Sequence, residues 1–521
     1  MTDDAAAPAV PNPWLVAVAV MFGTFMVVLD TTVVNVSLPY IAGSLSATIE
    51  ESTWALTAYL AANAIILPLT GWLSQLLGRK RLLMVAVIGF TLSSILCGMS
   101  FSLGMLVVCR VIQGMTGGVM QPLSQAVMLE AFPPHERGKA MGFWGLGIVV
   151  APILGPVLGG WLTDHWSWRW VFYINVPVGI AAIVMQELFI FDPPYLKRHR
   201  TAVDWWGIVY LAIGIGALQI SLDKGQQNDW LESPWITGLL VAAAVGIAAL
   251  IWQELTTRDP VLELRVFRER TYATGVFLMT LLGFVLFGSL VLLPVMLQTL
   301  LGYPPLRAGI TLAPRGMGSF IAMPIVGALT GRMDPRKLLI GGLVLTAITM
   351  FWFAHLNLDA GYWDLFWPQF LQGAALGLLF VPLTTISMDH IRNEEMGNAT
   401  SLFNLTRNVG GSIGIAVVQT VLARSRTSHA RTLAEHVSVW NPVARHLLQR
   451  IQHGFTARGA DAMTASRQAT GVIWGMVQRQ AALLSFLDVF RLLGLLVVGM
   501  IPFVFLMRKP RGQAGPVMVG E

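Results

Sequence analysis

Gly71-Trp-Leu-Ser-Gln-Leu-Leu-Gly-Arg-Lys-Arg-Leu-Leu83 and Gly327-Ala-Leu-Thr-Gly-Arg-Met-Asp-Pro-Arg-Lys-Leu-Leu339 align without a gap. They share a leading Gly, a Leu, a Ser/Thr, two basic residues and a closing Leu-Leu, and each joins the end of one apolar run to the start of the next. A second pair agrees with the first: Arg110-Val-Ile-Gln113-Gly114 followed by Gly118, against Gln369-Phe-Leu-Gln372-Gly373 followed by Gly377. The chain therefore contains an internal repeat, and a repeat constrains the architecture before any single motif is weighed.

Working outward, a bilayer span needs about 20 mostly apolar residues. Fourteen such runs can be read, at 14–38, 52–75, 82–100, 104–128, 140–162, 170–190, 205–222, 235–254, 273–300, 308–330, 338–356, 364–388, 398–423 and 484–507. Both repeat pairs are displaced by eight runs, so spans 1–6 correspond to spans 9–14 and spans 7 and 8 are an extra pair. The expected fold is an all-α polytopic membrane protein. Its segments are a tail at 1–13, a six-helix half at 14–190, a linker with two helices at 191–272, a second six-helix half at 273–507 and a tail at 508–521. Two such halves enclose a cavity near the bilayer midplane, the arrangement of many secondary transporters.

Composition agrees. Of 521 residues 55% are hydrophobic and 12% charged, and mean hydropathy is +0.65, against roughly a quarter charged in soluble domains. A soluble globule and a disordered chain are both excluded. Cys97 and Cys109 lie in apolar runs and support no disulfide framework. The segment before Trp14 lacks the basic region of a cleavable signal peptide, so the first span is expected to stay.

The net charge of +6 has one address. Residues 424–483 hold eight Arg against Glu435 and Asp461, and the rest of the chain sums to zero. The basicity is therefore no nucleic-acid signal. Among the short loops and the tail, nineteen Lys and Arg fall on the side of the termini and only Arg169, Lys224 and Arg307 on the other. By the positive-inside rule both termini are expected in the cytoplasm. The loop 424–483 then lies outside, read as amphipathic helical stretches, with a docking surface for an adaptor or for anionic headgroups as the sharper reading.

Charges inside spans mark functional paths. Leu29-Asp30-Thr31-Thr32-Val-Val-Asn35 places a carboxylate deep in span 1, and Arg110 lies in span 4. At 1.5 Å per residue both stand roughly 20 Å from the cytoplasmic face, so they can meet inside the first half. Such a pair suits proton coupling; a permanent structural ion pair is the competing reading. In span 5, Gly155-Pro156-Val-Leu-Gly159-Gly160 predicts a bent helix packed tightly on a neighbour.

These motifs, with Gly71…Gly78-Arg79-Lys80 after span 2, resemble the signatures of major facilitator superfamily drug/proton antiporters. Asp204-Trp205-x-Gly207, Leu222-Asp223-Lys-Gly225 and the fourteen spans resemble the EmrB/QacA branch, closest to the EmrB type. The resemblance covers nearly the whole chain. It implies export of hydrophobic drugs, uncouplers or fatty acids across a bacterial inner membrane, driven by the proton gradient with no cofactor. It also implies a periplasmic adaptor with one membrane anchor and an outer-membrane channel as partners. Asp30 becomes the proton site with Arg110 as its partner; Gly155, Pro156, Gly159 and Gly160 form the antiporter motif. Gly71, Gln75, Gly78, Arg79 and Lys80 form the gating loop, where Gln75 stands in place of the usual Asp and the latch between halves is in doubt.

Small hydrophobic substrates are expected against Asn35, Gln113, Gln372, Asn404 and Arg407, with Met26, Met120, Phe380 and Phe403 as adaptable apolar lining. Arg407 lies about nine residues into span 13 and faces either acidic substrate or an interhelical bond; Arg315 in span 10 is similar. Asp488 and Arg491 are expected to form a surface pair. The same fold exporting one metabolite, fatty acid or siderophore is the nearest alternative, and a non-transporting membrane sensor is the alternative from another class. An enzyme finds no support, since neither a metal-binding His-Glu-x-x-His nor a phosphate-binding Gly-x-x-x-x-Gly-Lys-Ser/Thr occurs.

Overall fold

Capping residues set many of the helix ends in the computed structural model, which describes residues 12–192, 203–257, 260–438 and 440–508. Asn12 accepts a hydrogen bond from Trp14 N at 3.0 Å, with Pro13 at the first helical position, and starts α1 (Pro13–Ser44). The first half continues with α2 (Trp54–Leu77), α3 (Arg79–Gly98), α4 (Leu103–Ala131), α5 (Arg137–His165) and α6 (Asn175–Phe189). Gly78 breaks α2 from α3 at φ +85°, a left-handed backbone that favours glycine. The extra pair is α7 (Trp205–Lys224), capped by Asp204 on Gly207 N at 3.0 Å, and α8 (Pro234–Thr256).

The second half holds α9 (Arg270–Val295), α10 (Pro305–Thr330), α11 (Pro335–Phe353), α12 (Tyr362–Met388) and α13 (Met396–Glu435), then α14 (Pro442–Thr456) and α15 (Ala462–Val504). Among the described residues there is no strand. Thirteen helices among the described residues are long and apolar enough to cross a membrane. The fourteenth expected span is part of α13, which is less apolar because it carries Asn404, Arg407 and Asn408, yet packs against α9 and α15 inside the bundle.

The internal repeat is visible in the packing. In the first half α2 packs on α4, α1 on α5 and α3 on α4; in the second α10 packs on α12, α9 on α13 and α11 on α12. The matched glycines sit at matched crossings. A Cβ on Gly114 would collide with the Tyr59 backbone, and one on Gly373 with the Arg315 backbone. The extra pair leaves this scheme alone: α7 and α8 pack on each other, and α7 seats against α2 and α13.

The halves are sealed at the face holding the chain ends. Gly71 of α2 abuts Asn398 of α13, where a Cβ would come within 2.6 Å of Asn398 Cα. Gly138 of α5 abuts Gly327 of α10, where it would come within 2.6 Å of the Gly327 carbonyl. The two contacts are related by the repeat, since Gly71 and Gly327 are equivalent.

One expectation needs correcting. Residues 424–483 are no loop between two spans: α13 runs through to Glu435 and α15 begins at Ala462, with α14 between them. At 1.5 Å per residue α13 and α15 are about 60 and 65 Å long, twice the bilayer core, so both project beyond it on the far side. The amphipathic expectation applies to α14, whose Leu447, Leu448, Ile451 and Phe455 are half-buried, with α14 packed on α15. Lys197, Arg198, Arg200, Arg258, Lys509 and Arg511 of the orientation count, and most of both tails, lie outside the described residues.

Candidate functional site

Asp30 and Arg110, on α1 and α4, meet as the sequence spacing requires. Both are fully buried, and Arg110 Nη1 donates to Asp30 Oδ2 at 2.5 Å. The other carboxylate oxygen, Oδ1, accepts from Gln113 Nε2 at 3.1 Å and from Asn175 Nδ2 at 2.8 Å. Ser94 Oγ accepts from the same two amides, at 3.2 and 2.9 Å, and donates to the Phe172 carbonyl. Arg110 also donates through Nε to the Ala55 carbonyl at 3.1 Å and through Nη1 to Gln113 Oε1 at 2.8 Å. Its Nη2 finds no acceptor among the described residues.

The ring of Tyr59 stands 4.1 Å from the Arg110 guanidinium carbon. Tyr59 also lines a cavity of about 430 Å³ between the two halves, so one aromatic ring separates the ion pair from that space. A cavity of this size suits a drug-sized molecule. Its wall is largely apolar, with Leu286, Leu290 and Phe380 among its members, and its polar groups include Thr31, Gln121 and Arg407. On α2, α5, α10 and α13 the cavity residues lie on the far side of the seal from the chain ends.

The motif in α5 bears directly on this centre. A Cβ on Gly155 would overlap the Thr32 hydroxyl and come within 2.6 Å of Thr32 Cβ; one on Gly159 would come within 2.9 Å of the Val33 carbonyl. Gly160 faces open space. Thus α5 crosses α1 within three residues of Asp30. Pro156 lies within α5, and its side chain is outside the described residues.

The expected cavity residues divide. Arg407 and Phe380 line the cavity. Gln113 belongs to the ion-pair network instead. Met26, Met120 and Phe403 are buried in the core, because helix crossings on both sides leave them no free face. Asn404 donates to the Thr400 carbonyl at 2.8 Å and contacts Gln125 across the halves. Gln372 is buried beside the cavity, off its wall, and Asn35 is exposed beyond it.

In the gating loop Arg79 is buried and paired with Glu130 at the end of α4, and its Nη2 reaches the Asn393 carbonyl of the second half at 3.5 Å. Lys80 binds Glu187 at 3.0 Å, and its backbone N–H reaches Asp192. Gln75 is half-buried, and no side-chain bond joins it to the second half among the described residues. Asp488 accepts from Arg491 at 3.4 Å as expected, and it also meets His429 of α13 at 2.6 Å.

Sequence reading missed Tyr59, Ser94, Asn175 and Glu130. Glu130 had a signal, being a lone acid in Met128-Leu-Glu-Ala-Phe132 at a span end, and the repeat register pairs it with Asp389. Asn175 and Ser94 had none, since single small polar residues in apolar helices are common.

A bundle of two repeated halves, sealed at one face around a central cavity with a buried ion pair beside it, is the architecture of a secondary transporter. The chain belongs to the Major Facilitator Superfamily, whose sequence profile matches residues 20–415. It is 36% identical over 505 residues to "Multidrug export protein EmrB" of Escherichia coli (strain K12), covering 96% of each chain. It is 35% identical over 506 residues to "Fatty acid resistance protein FarB" of Neisseria gonorrhoeae, covering 96% of this chain and 97% of that one. Among solved structures, the human organic anion transporter MFSD10 superposes with a TM-score of 0.60 over 94% of this chain and 100% of that chain, at 14% identity. That likeness concerns the fold alone.

Proposed function

We propose that the chain is a proton-driven multidrug exporter of a bacterial inner membrane, with both termini in the cytoplasm. The similarity to proteins named for multidrug export supports the cargo class. One observation carries the mechanism: a fully buried carboxylate, Asp30, held by Arg110, Gln113 and Asn175, lies next in sequence to Thr31 and Thr32 on the cavity wall.

Ionised Asp30 neutralises Arg110 and ties α1 to α4 and α6. Protonation removes its negative charge and weakens three hydrogen bonds at once, which leaves the guanidinium uncompensated in a dry interior. The first half must then rearrange or release the proton. Because α5 is wedged on the same turn of α1 through Gly155, the rearrangement reaches the α5–α10 seam. The sealed terminal face is the state in which cargo taken from the cytoplasm has been passed outward. The projecting ends of α13 and α15, with α14 between them, offer a basic surface to a periplasmic adaptor.

Asp30→Asn tests the reading, because the amide keeps the shape and cannot release a proton. In proteoliposomes with an imposed pH gradient, drug-driven proton flux should vanish while the variant still inserts and elutes as wild type. Undiminished coupled flux in that variant would sink the coupling role of Asp30.

A further inference from the structure

The extra helix pair carries, at the end of α7, side chains with no part in the proton site: Asp223-Lys-Gly225, followed by Asp229-Trp230 in the turn to α8. They divide between the two halves, at the end of the bundle away from the seal. On the first-half side Asp223 accepts a hydrogen bond from Thr57 of α2, and the Lys224 ammonium donates to Thr53 beside it. Lys224 also stands 5.3 Å from the Trp54 ring, and Trp54 meets Trp235 of α8 with ring centroids 6.4 Å apart. On the second-half side Trp230 Nε1 donates to Thr420 Oγ1 of α13 at 3.0 Å, and Thr420 Oγ1 reaches Gln226 Oε1 at 2.8 Å. Further along α7, Gln219 Oε1 accepts from Ser412 Oγ of α13 at 3.0 Å.

The turn that presents Trp230 is strained. Asp229 and Trp230 both have left-handed backbones, at φ +53° and +52°, which residues other than glycine rarely adopt. Gly225 makes room for the ring this throws back over the end of α7, since a Cβ there would come within 2.5 Å of it. Strain of this kind persists only where the surrounding fold enforces it, and it gathers at parts that switch. The two sets of bonds also differ in kind. Those to α2 involve a carboxylate, an ammonium and a cation–π contact, whereas those to α13 join neutral groups, and charge-assisted bonds are about twice as strong as neutral ones.

Two repeated halves give alternating access by rocking against each other. Because α2 and α13 meet at the sealed face through Gly71 and Asn398, opening that face must change the spacing of their far ends, and α7 can keep its bonds to only one of them. We propose that the outer end of the extra pair is a releasable latch, which travels with α2 and holds the present state by gripping Thr420 and Ser412 of α13 through Trp230, Gln226 and Gln219. Gln219 and Ser412 also line the cavity, so the latch reaches the cargo space. This rests on reading the halves as alternating, and is independent of Asp30.

The test uses the purified full chain in zwitterionic nanodiscs, in a Cys97→Ser, Cys109→Ser background, with spin labels on pairs of introduced cysteines and distances read by double electron–electron resonance. Leu231→Cys with Glu50→Cys reports the turn against the first half, Leu231→Cys with Arg424→Cys reports it against the second, and Leu77→Cys with Glu394→Cys reports the sealed face; all five positions are exposed. The 231–50 distance should stay single, while 231–424 gains a second value in step with opening at 77–394. Thr420→Val keeps the side-chain shape without the hydroxyl and should raise the second population roughly fivefold, as for one neutral hydrogen bond. Trp230→Phe, which keeps a ring over Gly225 without its N–H, should act in the same direction. A 231–424 distance that stays fixed while 77–394 opens, or populations that neither substitution moves, would overturn the latch alone. A single distance in all three pairs, in wild type and both variants, would overturn the latch and the alternating reading together.

Discussion

The three glycines of the α5 motif should respond to alanine in a graded way. Gly155→Ala places a methyl group on Thr32, overlapping its hydroxyl and reaching 2.6 Å from its Cβ and 3.2 Å from its backbone carbonyl carbon. Thr32 cannot swing aside cheaply, being β-branched and bonded through its hydroxyl to the Leu29 carbonyl at 2.9 Å and the Val28 carbonyl at 3.2 Å. Overpacking typically costs about 1–3 kcal/mol, and losing the hydroxyl bond adds about 1 kcal/mol. The upper part of that range, about 2–3 kcal/mol, is expected, a factor of roughly 30–150. Gly159→Ala meets the Val33 carbonyl at 2.9 Å and Val33 Cγ1 at 3.1 Å, a milder overlap expected to cost about 1 kcal/mol. Gly160→Ala meets nothing within 4 Å, and gains the helix preference of Ala over Gly, up to about 1 kcal/mol. Unfolding midpoints in one detergent, together with export rates, should fall in the order 155, 159, 160, with the last at or above wild type. Thr32→Ala should partly restore the Gly155→Ala chain, since the Cβ contact remains. Equal damage from all three substitutions would refute the assignment of this motif to the α1 crossing.

Two further outcomes follow from charges at the terminal face. Glu130→Gln leaves Arg79 buried without its carboxylate, a loss of about 3–5 kcal/mol when a buried pair is broken on one side. A cysteine at Ser74, in a chain without Cys97 and Cys109, should then be labelled faster by a maleimide added from that face; an unchanged rate would show that Arg79 does not hold the seal. Glu263, between α8 and α9, has its carboxyl pushed above the ordinary range by burial and then by the nearby Glu395, against a smaller opposite pull from Arg265. Above that ordinary range the folded state binds more protons here than the unfolded chain does, so stability declines as pH rises through the shifted value. Glu263→Gln should flatten this part of the pH–stability curve, and an unaltered slope would remove Glu263 as its source.

The helical repeat and the Asp30–Arg110 meeting were legible in the sequence because each rests on strong physical signals. Long apolar runs are imposed by the bilayer, and a charge within one has few places to go. The two registers, Gly71 with Gly327 and Gln113 with Gln372, even carried over to crossings that only the folded chain displays, Gly114 on Tyr59 and Gly373 on Arg315. The cavity wall was far less legible. Met26, Met120 and Phe403 read as lining because they are flexible or aromatic, but burial in a core and exposure to a cavity demand the same residue types. The direction of a side chain about the helix axis decides between them, and α1, α4 and α13 each border several neighbours. The projection of α13 and α15 was obscured for the opposite reason: once past the bilayer the helices are polar, so the apolar signal ended at 423 while the helix continued to Glu435.

A single turn of α1 joins the parts of this transporter. Successive residues of an α-helix differ by about 100° around the axis. Asp30 therefore turns into the first half toward Arg110, Thr31 and Thr32 turn to the cavity, and the Thr32–Val33 backbone lies against Gly155 and Gly159. A change in Asp30 charge and a change in cavity occupancy thus act on one rigid segment, which also sets the position of α5 at the seam with α10. Coupling between two ligands is reciprocal in binding free energy. If α1 is the coupling element, a bound cargo must shift the proton affinity of Asp30 by the same factor by which the proton shifts cargo affinity. Thr32 stands where the cavity wall and the α5 crossing meet, two residues along α1 from Asp30, so its substitution should weaken both shifts together rather than either alone.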